Sequence, residues 1–182
     1  FMKDENGKDT DQSAYFSGTN RNKRSITLNL NSPEGQYIAK QLIAKSDILV
    51  ENFKVGTLAK YGLDYNTLKD EFPSLIYCSI TGFGQTGPYS KRPAYDALVQ
   101  AMGGVMSLTG DANGEPMKVG VSIADLMAGM YGTVSILAAL RHRDKTNEGQ
   151  HLDISMLDAH VAWLANQGMN YLATNENPER LG

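Results

Sequence analysis

The sequence contains only one cysteine, Cys78, so no disulfide can form within the chain. It also lacks an excess of basic residues, because 17 lysines and arginines stand against 20 aspartates and glutamates and the formal net charge is −3. A generally basic nucleic-acid-binding protein is therefore disfavoured. The scarcity of cysteine favours a reducing compartment, and we expect a cytoplasmic protein.

Long uncharged apolar segments are scarce as well. The apolar stretches 97–110 and 126–140 contain no Asp, Glu, Lys or Arg, but both are shorter than the roughly 18 to 20 residues that a membrane-spanning helix needs. Residues 1–9 contain no apolar run of the kind that forms a signal-peptide core. We therefore predict no transmembrane segment, and no signal peptide in these first residues.

What the sequence does contain is typical of a globular protein, since 41% of its residues are hydrophobic and 20% are charged. Apolar alternation and short apolar runs predict strands at 25–30, 47–51, 75–80 and 151–155. Helical spacing predicts helices at 33–45, 67–72, 94–102, 125–143 and 157–172. Strand and helix alternate in the first half, which predicts an α/β fold with a parallel sheet and right-handed crossovers.

The start of the first long helix is marked by Ser32 as N-cap and Pro33 at the first helical position. The polar residues 1–24 before it are predicted to form a surface arm or connection. Residues 25–174 are predicted to form the α/β unit, and residues 175–182 to begin a linker.

One glycine-rich motif could bind a dinucleotide. Residues Gly82–Gly87 match the spacing G-x-G-x-x-G and follow a predicted strand. The dinucleotide motif works only when its glycines open a helix, and here Pro88 follows at once. We therefore interpret the motif as a loop, beside a site or as a plain turn.

Other chemically suggestive residues have simpler interpretations. The three histidines fall on three predicted elements without metal-ligand spacing, and we expect them at helix ends or on the surface: His142, His151 and His160. Cys78 lies within a predicted strand, where a buried and inert thiol is expected. The basic segment Arg21–Arg24 could bind a phosphate or could be a solvated turn.

Asp125 is the carboxylate with the most distinctive position. It lies where the segment 119–124 meets the long apolar helix, so its charge would lie near the free N–H groups of the first turn. A helix cap is the simplest role for an aspartate there. A nucleophile is the alternative, because Gly129 and Gly132 make the helix behind it thin enough for a bulky substrate.

Five separated blocks together resemble the class III CoA-transferase family, also called the CaiB/BaiF family. They are Asn20–Ser25, Val50–Phe53 followed by Gly56 and Leu58, Ser79–Pro88, Ala94–Asp96, and Asp125–Leu126 with Gly129. The blocks occur in the order of the family and cover essentially the whole chain. The resemblance implies an α/β fold centred on part of a Rossmann-like parallel sheet with covering helices.

The resemblance also implies a chemistry, in which Asp125 is the nucleophile that also caps its helix. Its carboxylate would form a mixed anhydride with the acyl group and then an aspartyl-CoA thioester, with coenzyme A as substrate and no metal or bound cofactor. The implied substrate-binding residues are Leu28, Asn31, Asn52, Phe53, Lys60, Arg92 and Tyr95. Tyr95 stands where related acyl-CoA racemases carry a histidine, which favours transfer over racemisation.

Family members are about twice as long as this chain, which implies a fragment that lacks an N-terminal and a C-terminal part. We expect the isolated chain to be inactive or nearly so. The implied partners are an acyl-CoA, an organic acid and a second copy in an interlocked homodimer, with no nucleic acid or membrane. The alternatives are a non-catalytic acyl-CoA-binding or assembly module, a racemase of the same family and an NAD-linked oxidoreductase.

Overall fold

Three parallel strands form the sheet at the centre of the structure, a computed structural model that describes residues 1–180. The strands are β1 (Ile48–Glu51), β2 (Ile76–Thr81) and β3 (His151–Ser155), in the order β1-β2-β3. Val50 pairs with Cys78, and Cys78 pairs with Leu152. The α/β fold with a parallel sheet is therefore confirmed. The last two residues of the predicted linker 175–182 lie outside the described part.

Helices and short 3-10 turns connect and cover the strands. In chain order the helices are α1 (Ala14–Thr19), α2 (Pro33–Ile43), α3 (Tyr65–Leu68), α4 (Asp96–Met102), α5 (Val105–Leu108), α6 (Ile123–Thr146), α7 (Met156–Val161) and α8 (Ala165–Thr174). The 3-10 turns are Leu58–Tyr61 and Ala162–Leu164. The Ser32 hydroxyl accepts a hydrogen bond from Gly35 N–H at 3.1 Å, so the predicted cap of α2 is confirmed.

The long helix α6 lies against one face of β2 and β3. At Gly132 the helix lies close to the sheet, since a methyl group there would be in ordinary contact with Ile80 Cδ1 at 3.6 Å and with Cys78 Sγ at 3.9 Å. By length and composition alone α6 could cross a membrane, as many core helices of other proteins could. One side of α6 packs in the core, since its residues Ala124 and Ala128 are buried together with Val99 and Met156.

The other face of the sheet is covered by the segments around the first 3-10 turn and α3. Leu58, Leu63 and Leu68 are buried there against Tyr77. The Tyr77 hydroxyl donates a hydrogen bond to the Leu63 carbonyl at 3.0 Å, so its polar atom is satisfied inside this core. The two cores hold the sheet between them and leave the carboxyl ends of the strands open.

The prediction of a strand at 25–30 is wrong, since these residues form neither helix nor strand. β1 is an edge strand of the described sheet and pairs only with β2. A strand needs a neighbouring strand to bond its N–H and C=O groups. Alternation of apolar side chains predicts which face would be buried, but it does not provide that neighbour.

Two helix predictions also need correction. The helix predicted at 157–172 is divided into α7 and α8, because a 3-10 turn intervenes and Ala165 has a φ of 44°. The helix predicted at 67–72 begins earlier and is only one turn long. In both segments the apolar spacing indicates a helix but does not predict where the helix ends or where the chain turns. α1 lies within the polar arm, where no helix was predicted.

Candidate active site

A cleft of about 230 Å³ lies at the carboxyl ends of β1 and β2. Asn52 and Phe53, which follow β1, form one side of it. Thr81 and Gly82 lie at the end of β2, and the segment 90–95 before α4 closes the other side. Ligands of parallel α/β sheets characteristically bind outside the carboxyl ends of the strands.

Four of the seven substrate-binding residues implied by the resemblance line this cleft: Asn52, Phe53, Arg92 and Tyr95. The Asn52 side-chain amide donates to the Ile80 carbonyl at 2.5 Å, which ties the end of β1 to β2. The Arg92 guanidinium lies 4.1 Å from the centre of the Tyr89 ring, a cation–π distance. Tyr95 is 78% exposed, so its ring is free to contact a ligand.

The other three implied residues do not line the cleft. Asn31 Oδ1 accepts a hydrogen bond from the Tyr61 hydroxyl at 3.2 Å, which brings Asn31 next to the turn that carries Lys60. Lys60 is exposed, and Leu28 is half-buried in the irregular segment before α2. Asn31 and the turn of Lys60 are therefore neighbours on a separate surface, and no side-chain hydrogen bond joins Leu28 to them in the described part of the chain.

Gly82 is required by the close approach of two segments in the cleft. A methyl group on Gly82 would lie only 2.2 Å from the Ala94 methyl group, far inside van der Waals contact. Ala94 directly precedes Tyr95 and Asp96. The small residue at position 82 thus determines how near the segment before α4 can lie to the end of β2.

The first residue of α4, Asp96, caps the start of α6. Its Oδ1 accepts a hydrogen bond from Ala124 N–H at 2.8 Å, whereas Ser122 at the N-cap provides no side-chain bond of its own. This corrects the expectation that Asp125 itself caps the helix. Because the Ala124 N–H group already donates to Asp96, it needs no hydrogen bond to the Asp125 carboxylate.

The environment of Asp125 disfavours its charge. The side chain is exposed at the first turn of α6, directly after the residue that Asp96 caps. Although the residue as a whole is exposed, the surrounding protein removes part of the hydration of its carboxyl group, which raises the pKa of Asp125, and the negative charge of Asp96 raises it further. A carboxylate whose charge is less well stabilised by solvation is the better nucleophile.

Asp96→Asn is expected to lower the pKa of Asp125. Asparagine keeps an acceptor for Ala124 N–H but removes the neighbouring negative charge, so the ionised form of Asp125 becomes less unfavourable. Titration of the Asp125 carboxyl carbon by NMR measures the shift. Asp144→Asn is the control, because Asp144 lies on the same helix about 28 Å away by helical rise. An unchanged titration midpoint of Asp125 in Asp96→Asn would contradict the conclusion that the charge of Asp96 raises the pKa of Asp125.

The histidines lie apart, as expected, but not all are at the surface. His160 lies in the last turn of α7, one of the two expected places, but it is fully buried, and burial lowers its pKa. His151 is half-buried, stacks on Tyr65 with ring centres 4.7 Å apart, and its Nε2 lies 3.0 Å from the Ser79 hydroxyl. Among residues 1–180 no three His, Cys, Asp or Glu side chains form a group suited to a metal ion.

The glycine-rich segment Gly82–Gly87 is a loop. Gly84 and Gly87 have φ values of 81° and 86°, and the first helix after them begins only at Asp96. The glycines therefore do not open a helix that could hold a pyrophosphate. The interpretation of this motif as a loop is confirmed, and its first residue, Gly82, lines the cleft.

Sequence reasoning missed two residues that shape the site. Gln100 contacts Asp96 from the next turn of α4, and Gly82 permits the approach of Ala94. The signal for Gln100 was present, because a polar side chain four residues after Asp96 lies on the same helical face. The signal for Gly82 was absent, because a contact between distant segments leaves no local pattern.

Comparison with known proteins places this geometry in context. The sequence model described as CoA-transferase family III matches residues 2–182. The succinate–glutarate CoA-transferase of Agrobacterium fabrum is 53% identical over 169 residues, which cover 93% of this chain and 42% of that protein. The acetyl-CoA:oxalate CoA-transferase of Acetobacter aceti is 44% identical over 173 residues, with 94% and 44% covered.

A solved structure agrees with the fold. The crystal structure of a CaiB/BaiF family protein from Brucella suis superposes with a TM-score of 0.92 at 49% identity, covering 100% of this chain and 47% of that one. This chain thus spans less than half the length of each of these three proteins.

Proposed function

The chain belongs to CoA-transferase family III, and from this membership we propose that the natural protein containing it transfers CoA from an acyl-CoA thioester to a free carboxylate. One observation carries the assignment of the nucleophile. Asp96, which directly follows the cleft residue Tyr95, accepts the hydrogen bond of Ala124 N–H at the start of α6. The next residue, Asp125, therefore does not serve as the cap, and the pKa of its carboxyl group is raised. These are the properties that a carboxylate nucleophile needs.

The proposed reaction has four steps at Asp125. Its carboxylate attacks the thioester carbonyl, and the C–S bond breaks to give a mixed anhydride and CoA thiolate. The thiolate attacks the aspartyl carbonyl and releases the donor acid, leaving an aspartyl-CoA thioester. The acceptor carboxylate attacks this thioester and expels the thiolate again, giving a second anhydride. The thiolate then attacks the acceptor's acyl carbon, which releases the new acyl-CoA and restores Asp125.

The residues of the cleft would hold the acyl-CoA during these steps. Phe53 and Tyr95 offer aromatic surface, and Arg92 supplies a permanent positive charge for a phosphate or carboxylate group. Asn52 is tied to the Ile80 carbonyl and so keeps the wall of the cleft in place. The separate surface with Lys60 and Asn31 offers a second place for the charged end of CoA.

The acids exchanged are proposed to be small dicarboxylates. The two relatives described above are named for succinate and glutarate and for acetyl-CoA and oxalate, and three of these acids are dicarboxylates. A panel of CoA thioesters assayed with these acids as acceptors identifies the preferred pair.

We also propose that a second copy of the protein covers part of α6. Four apolar residues spaced along one side of this helix are at least half exposed: Leu126, Met130, Val134 and Leu137. An exposed apolar stripe of this kind marks an interaction surface, and homodimers are the commonest soluble assembly.

Trapping of an intermediate tests the proposed function. The natural protein is incubated with succinyl-CoA and hydroxylamine, which converts an aspartyl thioester or anhydride into a stable hydroxamate. Mass spectrometry of the peptides is expected to find the modification on Asp125 and on no other carboxylate of α6. Unmodified Asp125 in a protein that still binds succinyl-CoA would instead support a non-catalytic acyl-CoA-binding module.

A further inference from the structure

A buried amide on α4 holds the segment that leads into the helix of Asp125. Gln100 is 0% exposed and lies one helical turn after Asp96. Its Nε2 donates to Asp96 Oδ2 at 2.7 Å, and its Oε1 accepts from Val119 N–H at 2.8 Å. Nε2 also lies 3.4 Å from the Val121 carbonyl oxygen. One side chain therefore contacts Asp96 and two points of the loop before α6.

Only one orientation of this amide satisfies its neighbours. With Oε1 toward Val119 N–H and Nε2 toward the Asp96 carboxylate, every contact joins a donor to an acceptor. A flipped amide would place two donors together at Val119 and two acceptors together at Asp96. Because the group is buried, water cannot relieve such a mismatch, and the arrangement is strongly specified.

The network controls the start of α6 from outside the helix. Asp96 uses one oxygen for Gln100 and the other for Ala124 N–H. The segment from Val119 to Ala124 is thus held to α4 at both of its ends. The direction in which α6 begins, and with it the location of Asp125, depends on α4 rather than on a cap within its own sequence.

We propose that Gln100 is a positioning residue for the transfer reaction: its amide holds Asp96 and the loop before α6 so that Asp125 is placed for attack and is not used as a cap. The inference rests on the proposed function of Asp125. Gln100 does not line the cleft, so its loss acts on the attacking group and not on the binding of acyl-CoA. Loss of the Gln100 amide is therefore expected to lower kcat and to leave KM unchanged.

Gln100→Leu tests the inference in the natural protein, because it removes all three contacts at similar volume. We expect kcat to fall by about 10- to 100-fold, since misplacement of a reacting group by about 1 Å has an effect of this size. KM for succinyl-CoA is expected to stay unchanged. Gln41→Leu on the exposed side of α2 is the matched control, and its kcat is expected to equal that of the wild type.

Gln100→Glu provides a readout that a purely structural role would not move. The substituted carboxyl keeps an acceptor for Val119 N–H, but when ionised it repels Asp96, and when protonated it again donates to Asp96. The deficit in kcat relative to wild type is therefore expected to shrink as the pH is lowered. The other titratable groups near Asp96 are Asp125 and the buried His160, which both proteins share.

The outcomes separate the two proposals. If the wild type forms no adduct on Asp125, the proposed function itself is overturned. If the adduct forms and both Gln100 variants have wild-type kcat at every pH, the positioning role alone is overturned. If Gln100→Leu does not fold, Gln100→Glu decides: recovery at low pH with a constant circular dichroism spectrum supports the role, and a constant deficit overturns it.

Discussion

Replacement of Asp125 by asparagine is expected to lower the rate of CoA transfer by at least about 10³-fold, as the loss of a covalent nucleophile does in other enzymes. The amide cannot attack a thioester carbonyl, so neither the anhydride nor the aspartyl-CoA thioester can form. Steady-state transfer from succinyl-CoA to glutarate in the natural protein measures the loss. Binding of succinyl-CoA should be retained, because Asp125 is not among the residues that line the cleft.

The loss should not come from unfolding. The pKa of Asp125 is raised in the folded state, so between the ordinary and the raised value the folded protein holds a proton that the unfolded chain has lost. The free energy of unfolding therefore falls as the pH rises through this window and stays lower above it. Asp125→Asn removes that penalty, and at neutral pH it should unfold at the same or a higher temperature.

Asp144→Asn is the control for this experiment, because it changes the same residue type at the far end of α6. It is expected to leave the transfer rate unchanged. A rate for Asp125→Asn within tenfold of the wild type would rule out covalent catalysis at Asp125.

The second large effect is expected for Gly82→Ala. The added methyl group would lie 2.2 Å from the Ala94 methyl group, so the segment carrying Tyr95 and Asp96 must move away from the end of β2. This movement alters the cleft and the cap of α6 together. We expect a loss of about 1–3 kcal/mol in the free energy of unfolding and a fall of about 10²-fold in the transfer rate. Urea unfolding and the transfer assay measure the two effects.

A second substitution should reverse this effect. In Gly82→Ala combined with Ala94→Gly the clashing methyl group is gone, and the nearest remaining atoms of residue 94 lie 3.4 and 3.5 Å away, at ordinary contact distance. Most of the lost activity should return, and Ala94→Gly alone serves as the control. If the double variant is no more active than Gly82→Ala, the close approach of these two methyl groups is not the cause.

The elements that sequence reasoning predicted well are those whose signals are local. β2 is a buried run, β3 alternates polar and apolar residues, and α2 carries its own cap at Ser32, so each could be recognised within a short window. The parallel sheet followed from the alternation of strand and helix, because parallel neighbours need a crossover. In residues 25–30 apolar and polar side chains alternate as in a strand, but the segment has no partner strand in the described part of the chain, and the prediction there was wrong.

The implied residues of the candidate site also fall into two groups, those that line the cleft and those that lie elsewhere. The resemblance indicated Asn52, Phe53, Arg92 and Tyr95, and the folded chain brings these four residues into one cleft. Leu28, Asn31 and Lys60 came from the same resemblance and lie elsewhere in the described chain. Sequence order does not reveal which loops share a surface.

Five separated blocks of sequence were enough to identify the family, the alternation of strand and helix was enough to predict the parallel sheet, and its place at the start of a long apolar helix was enough to single out Asp125. The packing of the folded chain was needed to show that Asp96 and not Asp125 caps α6 and that Gln100 donates a hydrogen bond to Asp96. It was also needed to show that the absence of a side chain at Gly82 leaves room for the Ala94 methyl group. These contacts join residues through space and not through a sequence motif. Their energies depend on hydrogen-bond geometry and on overlap at atomic distances, which exist only after the chain has folded.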